Sequence, residues 1–314
     1  MKHICQRPLR EDERTQPLAS RIVEFFGYAP TDQSKAARQA RAKRHCPFIH
    51  DVCQKTLHSG SISGACTLQP KTSGPVICCP IRLYANEYQL LSDVAKTAFG
   101  ENVELVAGHL ARQQKVSSGK VKIAVFGKRW GKELRLPNRG RSGGYFVDWV
   151  LARLNEQDEL EEFLAVEVQS IDTTGNYQEE RNIYLREEPF EGYSTAGFNW
   201  ENVNKRILPQ IIYKGHVLRR ERLCRQGLFF VCPLPVYEKI RERLGGNLLA
   251  YGLQPGSLSI IWYDIGAAVP KGQNRSLELK GTFTTTVDQV ALAFTSPSNL
   301  PEENVYEAAI RAEL

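Results

Sequence analysis

Two acids in the middle of the chain, Asp148 and Glu167, could together bind a divalent cation, and an amide, Gln169, lies two residues after the second acid. Strand alternation places Glu167 and Gln169 on the same face. The polar residues 155–159 separate two segments rich in Val, Leu and Phe and predict an antiparallel hairpin in which facing residues sum to 315, so that Asp148 lies opposite Glu167. Facing residues have Cβ atoms about 4.5–5.5 Å apart, and two carboxylates there repel each other unless a cation lies between them. The spacing alone is equally compatible with two acids that serve structure.

A second group of candidate ligands consists of four cysteines within residues 45–80, a segment poor in apolar side chains. Four thiolates on one iron or zinc ion would give such a segment the order that a core cannot. The short C-x₂₋₄-C spacing is absent, so spacing alone also allows buried or free thiols, and Cys78 could replace the last cysteine. The four cysteines, separated by 7, 13 and 13 residues, are Cys46, Cys53, Cys66 and Cys79.

Charge is distributed in alternating blocks along the chain. The net charge is only 41 − 35 = +6, but residues 111–145 carry +9, residues 146–191 carry −10 and residues 200–226 carry +5. Basic blocks attract phosphate, while the acidic block is either a cation site or solvated surface. Arg reads guanine through paired hydrogen bonds, and Lys and Arg also contact phosphates. The candidate DNA contacts are Arg82, Arg139, Arg141, Lys205 and Arg206.

Length and composition indicate the class of protein that must position these side chains. The 314 residues, 42% hydrophobic and 24% charged, are typical of globular protein and argue against disorder, collagen or coiled coil. The chain has no apolar run long enough to span a membrane and no apolar core of a signal peptide, so a cytoplasmic protein is expected. We expect a flexible arm over residues 1–20, a region with the cysteines over 21–100 and an α/β domain over 101–314.

Periodicity and turn residues predict the elements of this α/β arrangement. Thr31 or Asp32 is the expected N-cap of a basic helix ending near residue 44, and residues 45–80 are expected to be loops. Besides the hairpin, strands are expected at 121–126, 134–136, 228–232, 258–264 and 282–286, and helices at 82–99, 199–214, 236–244, 287–294 and from 301.

Several motifs occur in a fixed order from residue 24 to residue 206. The acid-bearing ones are Gly-Lys-Glu-Leu (131–134), Val-Asp-Trp-Val-Leu-Ala (147–152) and Val-Glu-Val-Gln-Ser-Ile-Asp-Thr-Thr-Gly-Asn-Tyr (166–177). The others are Glu-Phe-Phe-Gly-Tyr (24–28), Cys-Pro-Phe (46–48), Cys-Pro-Ile-Arg-Leu-Tyr-Ala-Asn (79–86) and Asn-Val-Asn-Lys-Arg (202–206). In number and order these motifs resemble the NotI-type restriction endonucleases.

The resemblance implies a PD-(D/E)xK nuclease core, a central mixed β-sheet flanked by helices, with an N-terminal four-cysteine metal-binding region. Asp148 and Glu167 would hold Mg²⁺ against the scissile phosphate, Gln169 would position the attacking water, and Glu133 would be a supporting acid. Gln169 departs from the lysine usual in the superfamily, although NotI-type enzymes share the glutamine. The resemblance also implies an iron or zinc ion bound by the four cysteines.

The implied activity is Mg²⁺-dependent hydrolysis of double-stranded DNA at a palindromic G·C-rich site, by a homodimer whose two-fold axis matches that of the DNA. Two alternatives remain open from the residues themselves. One is a non-catalytic DNA-binding protein with a four-cysteine scaffold, and the other is a repair or mobile-element nuclease of the same core.

Overall fold

The computed structural model describes residues 19–134, 146–246, 248–296 and 302–314. Within these ranges the chain is mixed α/β, as expected. None of the helices in the described ranges is both long and apolar enough to cross a membrane. The strands, in chain order, are β1 Ser20–Phe25, β2 His45–Cys46, β3 Asp51–Val52, β4 Ala65–Pro70, β5 Val76–Ile77, β6 Val103–Ala107, β7 Val121–Gly127, β8 Trp149–Leu154, β9 Leu160–Val168, β10 Thr173–Thr174, β11 Gly197–Phe198, β12 Leu228–Pro233, β13 Ser257–Ile265 and β14 Leu277–Thr286.

Helices make up the remaining regular structure of the described residues. A 3₁₀ turn, Pro80–Tyr84, and a π-helical turn, Val203–Ile207, directly precede two of them. The α-helices are α1 Lys35–Lys43, α2 Ala85–Phe99, α3 Gln178–Leu185, α4 Leu208–Leu218, α5 Leu234–Leu244, α6 Val287–Thr295 and α7 Val305–Glu313.

The chain folds into two compact units, and each contains separated stretches of sequence. The first unit holds the described residues up to Cys78 together with Asp172–Asn199 and Val269–Asn274. The second unit holds Cys79–Ile171, Trp200–Ala268 and Arg275–Leu314. This division differs from the expected ranges of 21–100 and 101–314, because residues 79–100 belong to the second unit and two later segments return to the first.

The first unit contains small antiparallel sheets, of which the largest has the order β1-β4-β5. Residues 45–80 are therefore not only loops, because β4 lies within them and begins with four buried residues. α1 begins after Ser34, whose side chain accepts a hydrogen bond from the N–H of Ala37, so the expected N-cap was wrong. Asp32 instead accepts backbone hydrogen bonds from Ser34 and Gly272.

A seven-stranded mixed sheet with the order β14-β13-β12-β9-β8-β7-β6 forms the second unit. β9 lies at its centre, antiparallel to β8 and parallel to β12. All six residues of β12 are buried, which is typical of a strand covered on both faces. Most expected elements of this unit are present, although β14 is longer than expected. The strand expected at 134–136 lies largely outside the described residues.

The predicted hairpin is confirmed with its register. β8 and β9 pair Trp149 with Val166 and Ala152 with Phe163, and both pairs sum to 315. The polar turn closes through a hydrogen bond from the N–H of Asn155 to the carbonyl of Glu159 at 3.0 Å. One further step along this register brings Asp148 opposite Glu167.

Candidate active site

The two acids of the hairpin lie at the same end of the central strands. Asp148 immediately precedes β8, and Glu167 is the penultimate residue of β9. The backbone N–H of Val168 donates a hydrogen bond of 2.8 Å to Oδ2 of Asp148. Local strand pairing, rather than a flexible loop, therefore fixes the separation of the two carboxylates.

The surroundings of this pair favour protonation of both acids. Burial raises the pKa of Glu167 to about 7, and the charge of Asp148 contributes in the same direction. Asp148 retains exposed surface, yet the protein packed around its carboxyl raises its pKa, and the charge of Glu133 adds to the effect. Two acids held together in this way are expected to attract a divalent cation.

Two buried acceptor atoms at this site, Oε2 of Glu167 and Oε1 of Gln169, receive no hydrogen bond from any residue that the structure describes. Buried acceptors without a donor are costly, and water or a cation usually satisfies them. Mg²⁺ prefers oxygen ligands and is commonly held by one or two carboxylates, with water completing its shell. The carboxylates of Asp148 and Glu167 therefore suit Mg²⁺, and Oε1 of Gln169 suits a hydrogen bond from a water molecule.

The strongest cationic contact of the acid pair comes from a residue that the sequence analysis did not select. Nζ of Lys214, in α4, lies 2.6 Å from Oε1 of Glu167, and the two side chains are only 19% and 12% exposed. Lys214 follows the apolar positions Val203, Ile207 and Ile211 on one helical stripe. A lysine on an apolar stripe was the signal that could have identified it.

Aromatic side chains support the start of β8 next to Asp148. Trp149 is 2% exposed and its ring lies 5.6 Å from that of Tyr84 and 5.4 Å from that of Tyr88. Trp149 Nε1 also donates to the hydroxyl of Tyr84 at 3.4 Å. Burial, with the charge of Asp148, raises the pKa of Tyr84, so its hydroxyl remains protonated beside the acid.

Glu133 lies in the segment that follows β7, and its side chain is exposed. Its charge contributes to the raised pKa of Asp148, which links it electrostatically to the acid pair. Gly131 lets this segment pass close to the backbone of β7. Its φ of +79° suits glycine, and an added Cβ would overlap the carbonyl oxygen of Val125.

Comparison with models of known protein families identifies the family of the chain. The model of the restriction endonuclease NotI family matches residues 31–224, more than half of the chain and the whole hairpin. The chain belongs to the NotI restriction endonuclease family. It is a type II site-specific deoxyribonuclease that acts on double-stranded DNA. None of the curated proteins compared with the chain matches it.

The expected DNA contacts of this NotI-family enzyme fall into three groups. Lys205 and Arg206 are exposed in the π-helical turn, and Lys205 pairs with Glu201. Arg139 and Arg141 lie outside the described residues. Arg82 is fully buried and donates to the carbonyl of Arg275 at 2.8 Å, so this placement argues against the expected DNA contact and assigns it to the core.

All four cysteines proposed as ligands of the NotI-family metal centre are buried and free of disulfides. Cys46, Cys53 and Cys66 belong to the first unit, and Cys79 is the first residue of the second. Cys78 accepts a hydrogen bond from Lys55 at 3.0 Å, which gives its thiol a separate role. Across the described ranges, no group of three or more His, Cys, Asp or Glu side chains is arranged to hold a metal ion. The four-cysteine centre therefore stays a prediction.

Cys224 and Cys232 lie outside the group of four cysteines proposed as metal ligands. Both are buried in the second unit. Burial raises the pKa of Cys224 to about 12 and raises that of Cys232 as well, so both thiols remain protonated and unreactive.

Proposed function

We propose that this NotI-family endonuclease hydrolyses phosphodiester bonds with Mg²⁺ held by Asp148 and Glu167, in a core of the PD-(D/E)xK type. The observations that support the proposal are the register of β8 and β9, which continues to Asp148 opposite Glu167, and the hydrogen bond from the N–H of Val168 to Asp148. The acceptor atoms of Glu167 and Gln169 without a donor support a hydrated cation at the same place.

Each residue of the site has a distinct role in this proposal. When bound, Mg²⁺ would neutralise charge on the phosphate and lower the pKa of a water molecule. Asp148 and Glu167 supply the carboxylate oxygens for it. Gln169 accepts a hydrogen bond from the attacking water through Oε1 and so orients it, because an amide cannot supply the charge of a lysine. Glu133 adds negative charge near Asp148 and favours cation binding.

The proposed target is a palindromic G·C-rich site, cut by a homodimer that shares the two-fold symmetry of the DNA. This part rests on the motifs shared with NotI-type enzymes and on the basic blocks that flank the hairpin. Lys205 and Arg206 are exposed, and we assign them as contacts to phosphates or guanines. We also propose that Cys46, Cys53, Cys66 and Cys79 hold a structural iron or zinc ion, because four thiolates form a closed site that suits either metal.

The test is cleavage of a defined plasmid by wild type, Asp148→Asn and Glu167→Gln in Mg²⁺, with binding of the same DNA measured in Ca²⁺. We expect both variants to lose cleavage by at least about a hundredfold and to keep sequence-specific binding, because the acids act on the phosphate and not on the bases. Glu307→Gln, an exposed acid in α7, is the control and should cut normally. Wild-type cleavage by Asp148→Asn would place the active site elsewhere.

The pattern of products tests the specificity. A restriction endonuclease yields discrete plasmid fragments that end in one common sequence, whereas a repair nuclease of the same core yields nicks or fragments without a common end. Sequencing the fragment ends would also show whether the site is palindromic and rich in G·C pairs.

A further inference from the structure

We infer that Lys214 is a positioning residue of the hydrolytic site, which holds Oε1 of Glu167 so that Oε2 is presented to the bound cation. The inference rests on the proposed function of the acid pair. The ion pair of 2.6 Å between Nζ of Lys214 and Oε1 of Glu167 carries it, together with the buried Oε2 that no described residue reaches as a donor.

The two oxygens of Glu167 differ in their surroundings. Oε1 is held by an ammonium group, while Oε2 is buried without a hydrogen-bond donor among the described residues. A carboxylate held at one oxygen has one orientation and offers its other oxygen in a fixed direction. Partners that orient a metal ligand in this way usually change metal affinity or activity by about 10–100-fold when they are removed.

Lys214 is itself held in place by the packing of α4. The neighbouring residues Ile211, Gly215 and Leu218 are buried, and an added Cβ at Gly215 would overlap the side chain of Val287 in α6. The helix therefore packs closely and fixes the backbone position from which the Lys214 side chain reaches Glu167. Lys214 also lines an apolar cavity of about 440 Å³ with Val150 and Phe163, so its aliphatic stem contacts apolar surface while its charged end meets the acid.

Positive charge near a cation site also has a cost, because the ammonium repels the metal. Replacement of Lys214 by methionine keeps an unbranched stem beside the cavity and removes only the charge and the hydrogen bond. The methionine variant should therefore bind the cation at least as tightly as wild type does. The carboxylate of Glu167, however, would no longer be held in one orientation. A loss of turnover without a loss of cation affinity is the signature of a positioning role, whereas a loss of folding would lower both.

The experiment compares wild type, Lys214→Met, Lys214→Arg and Lys122→Met. Lys122→Met is the matched control, because Nζ of Lys122 forms an ion pair of the same 2.6 Å length with Asp158 and its side chain is 11% exposed. Two quantities are measured for each variant, namely the dissociation constant for Ca²⁺ without DNA and the single-turnover cleavage rate at saturating Mg²⁺. Melting temperatures show that each variant is folded.

For Lys214→Met we expect a cleavage rate about 10–100-fold below wild type and a Ca²⁺ dissociation constant equal to or below that of wild type. Lys214→Arg should recover part of the rate because it restores the charge, and Lys122→Met should cut normally. The inference is overturned if Lys214→Met cuts within twofold of wild type, if arginine is no better than methionine, or if Lys122→Met loses as much activity.

The outcome for Asp148→Asn separates this inference from the proposed function. If Asp148→Asn is inactive and Lys214→Met cuts normally, only the role of Lys214 is wrong. If Asp148→Asn cuts at the wild-type rate, the proposed function of the acid pair is wrong, and the role of Lys214 fails with it.

Discussion

The backbone N–H of Val168 donates to Oδ2 of Asp148 across 2.8 Å, so a residue of β9 binds the acid that immediately precedes β8. The contact extends the hairpin by one step beyond its last strand pair, Trp149 with Val166. It places a backbone dipole, and not a mobile side chain, between the two strands that carry the acids. The geometry of the acid pair is therefore part of the sheet and should change little when side chains at the surface are replaced.

The raised pKa of Glu167, about 7, predicts how the metal-free protein responds to pH. In the unfolded chain the pKa of the same carboxyl is near 4.5, so folding favours the protonated form. The contribution of Glu167 to the free energy of unfolding is therefore fully present below pH 4.5 and is lost as the pH rises through 7. Glu167→Gln resembles the protonated acid and does not titrate. We expect wild type and Glu167→Gln to melt at similar temperatures at pH 5, and the variant to melt at the higher temperature above pH 7.5.

The measurement is thermal melting in chelator-treated buffer across pH 5–8.5. Addition of Ca²⁺ at high pH should raise the melting temperature of wild type but not that of Glu167→Gln, because the ion binds the carboxylate and not the amide. A difference in melting temperature that stays constant across this range would contradict a titration of Glu167 near 7.

Gly131→Ala should disturb the loop that carries Glu133. An alanine there must adopt a φ of +79°, and its Cβ would overlap the carbonyl oxygen of Val125. Gly119 is a matched control, since it has the same φ of +79° and open space around its Cβ position. Both variants bear a backbone cost of about 1–2 kcal/mol, but only Gly131→Ala adds the steric overlap and should also lower cleavage.

Urea unfolding and plasmid cleavage are measured for both glycine variants. Equal destabilisation and equal activity would mean that the loop adjusts without cost and that the close approach of Gly131 to β7 has no functional consequence.

The salt dependence of DNA affinity tests the exposed basic residues of the π-helical turn, Lys205 and Arg206. Each phosphate contact contributes about −0.9 to the slope of log affinity against log salt. Removal of two phosphate contacts in the double variant Lys205→Gln/Arg206→Gln should make the slope shallower by about 2. Binding is measured in Ca²⁺, and Arg311→Gln in α7 is the control. An unchanged slope with relaxed specificity would instead indicate that these side chains read bases.

Cys66→Ser tests the proposed four-cysteine centre. Purified wild type should carry about one iron or zinc per chain, and the variant should lose it, become protease-sensitive within residues 45–80 and lose DNA binding together with cleavage. Cys224→Ser is the control, because Cys224 is buried in the second unit and lies outside the group of four. Full metal content in Cys66→Ser would identify Cys66 as an ordinary buried thiol.

Local patterns in the sequence were sufficient to predict the hairpin and several helices. The turn at residues 155–159 and the alternation of β9 depend on neighbours in the chain, so the register that pairs Asp148 with Glu167 could be derived. The bounds of α5 and α6 follow in the same way from local periodicity.

Contacts between distant parts of the chain could not be predicted in this way. Arg82 is of the residue type that contacts DNA, but its guanidinium donates to the carbonyls of Arg275 and Ser276, almost two hundred residues later. Asp32 was chosen as an N-cap because its type suits that role, yet Gly272 competes for its carboxylate. The apolar stripe marks Lys214 as unusual, but its pairing with Glu167 could not be predicted, since it depends on how α4 packs on the sheet.

β9 pairs with β8, which is close in sequence, and with β12, which is far away. This difference has a consequence for the order of folding. Pairing with β8 closes a turn of five residues, whereas pairing with β12 brings Ala165 beside Leu228, about sixty residues later. The entropic cost of closing a loop rises with its length, and short loops close within microseconds. The β8–β9 hairpin that carries the two acids is therefore expected to form before the long loop between β9 and β12 closes. Lys214 lies beyond the hairpin in the chain, so the positive charge that pairs with Glu167 joins the two acids only when α4 packs on the sheet.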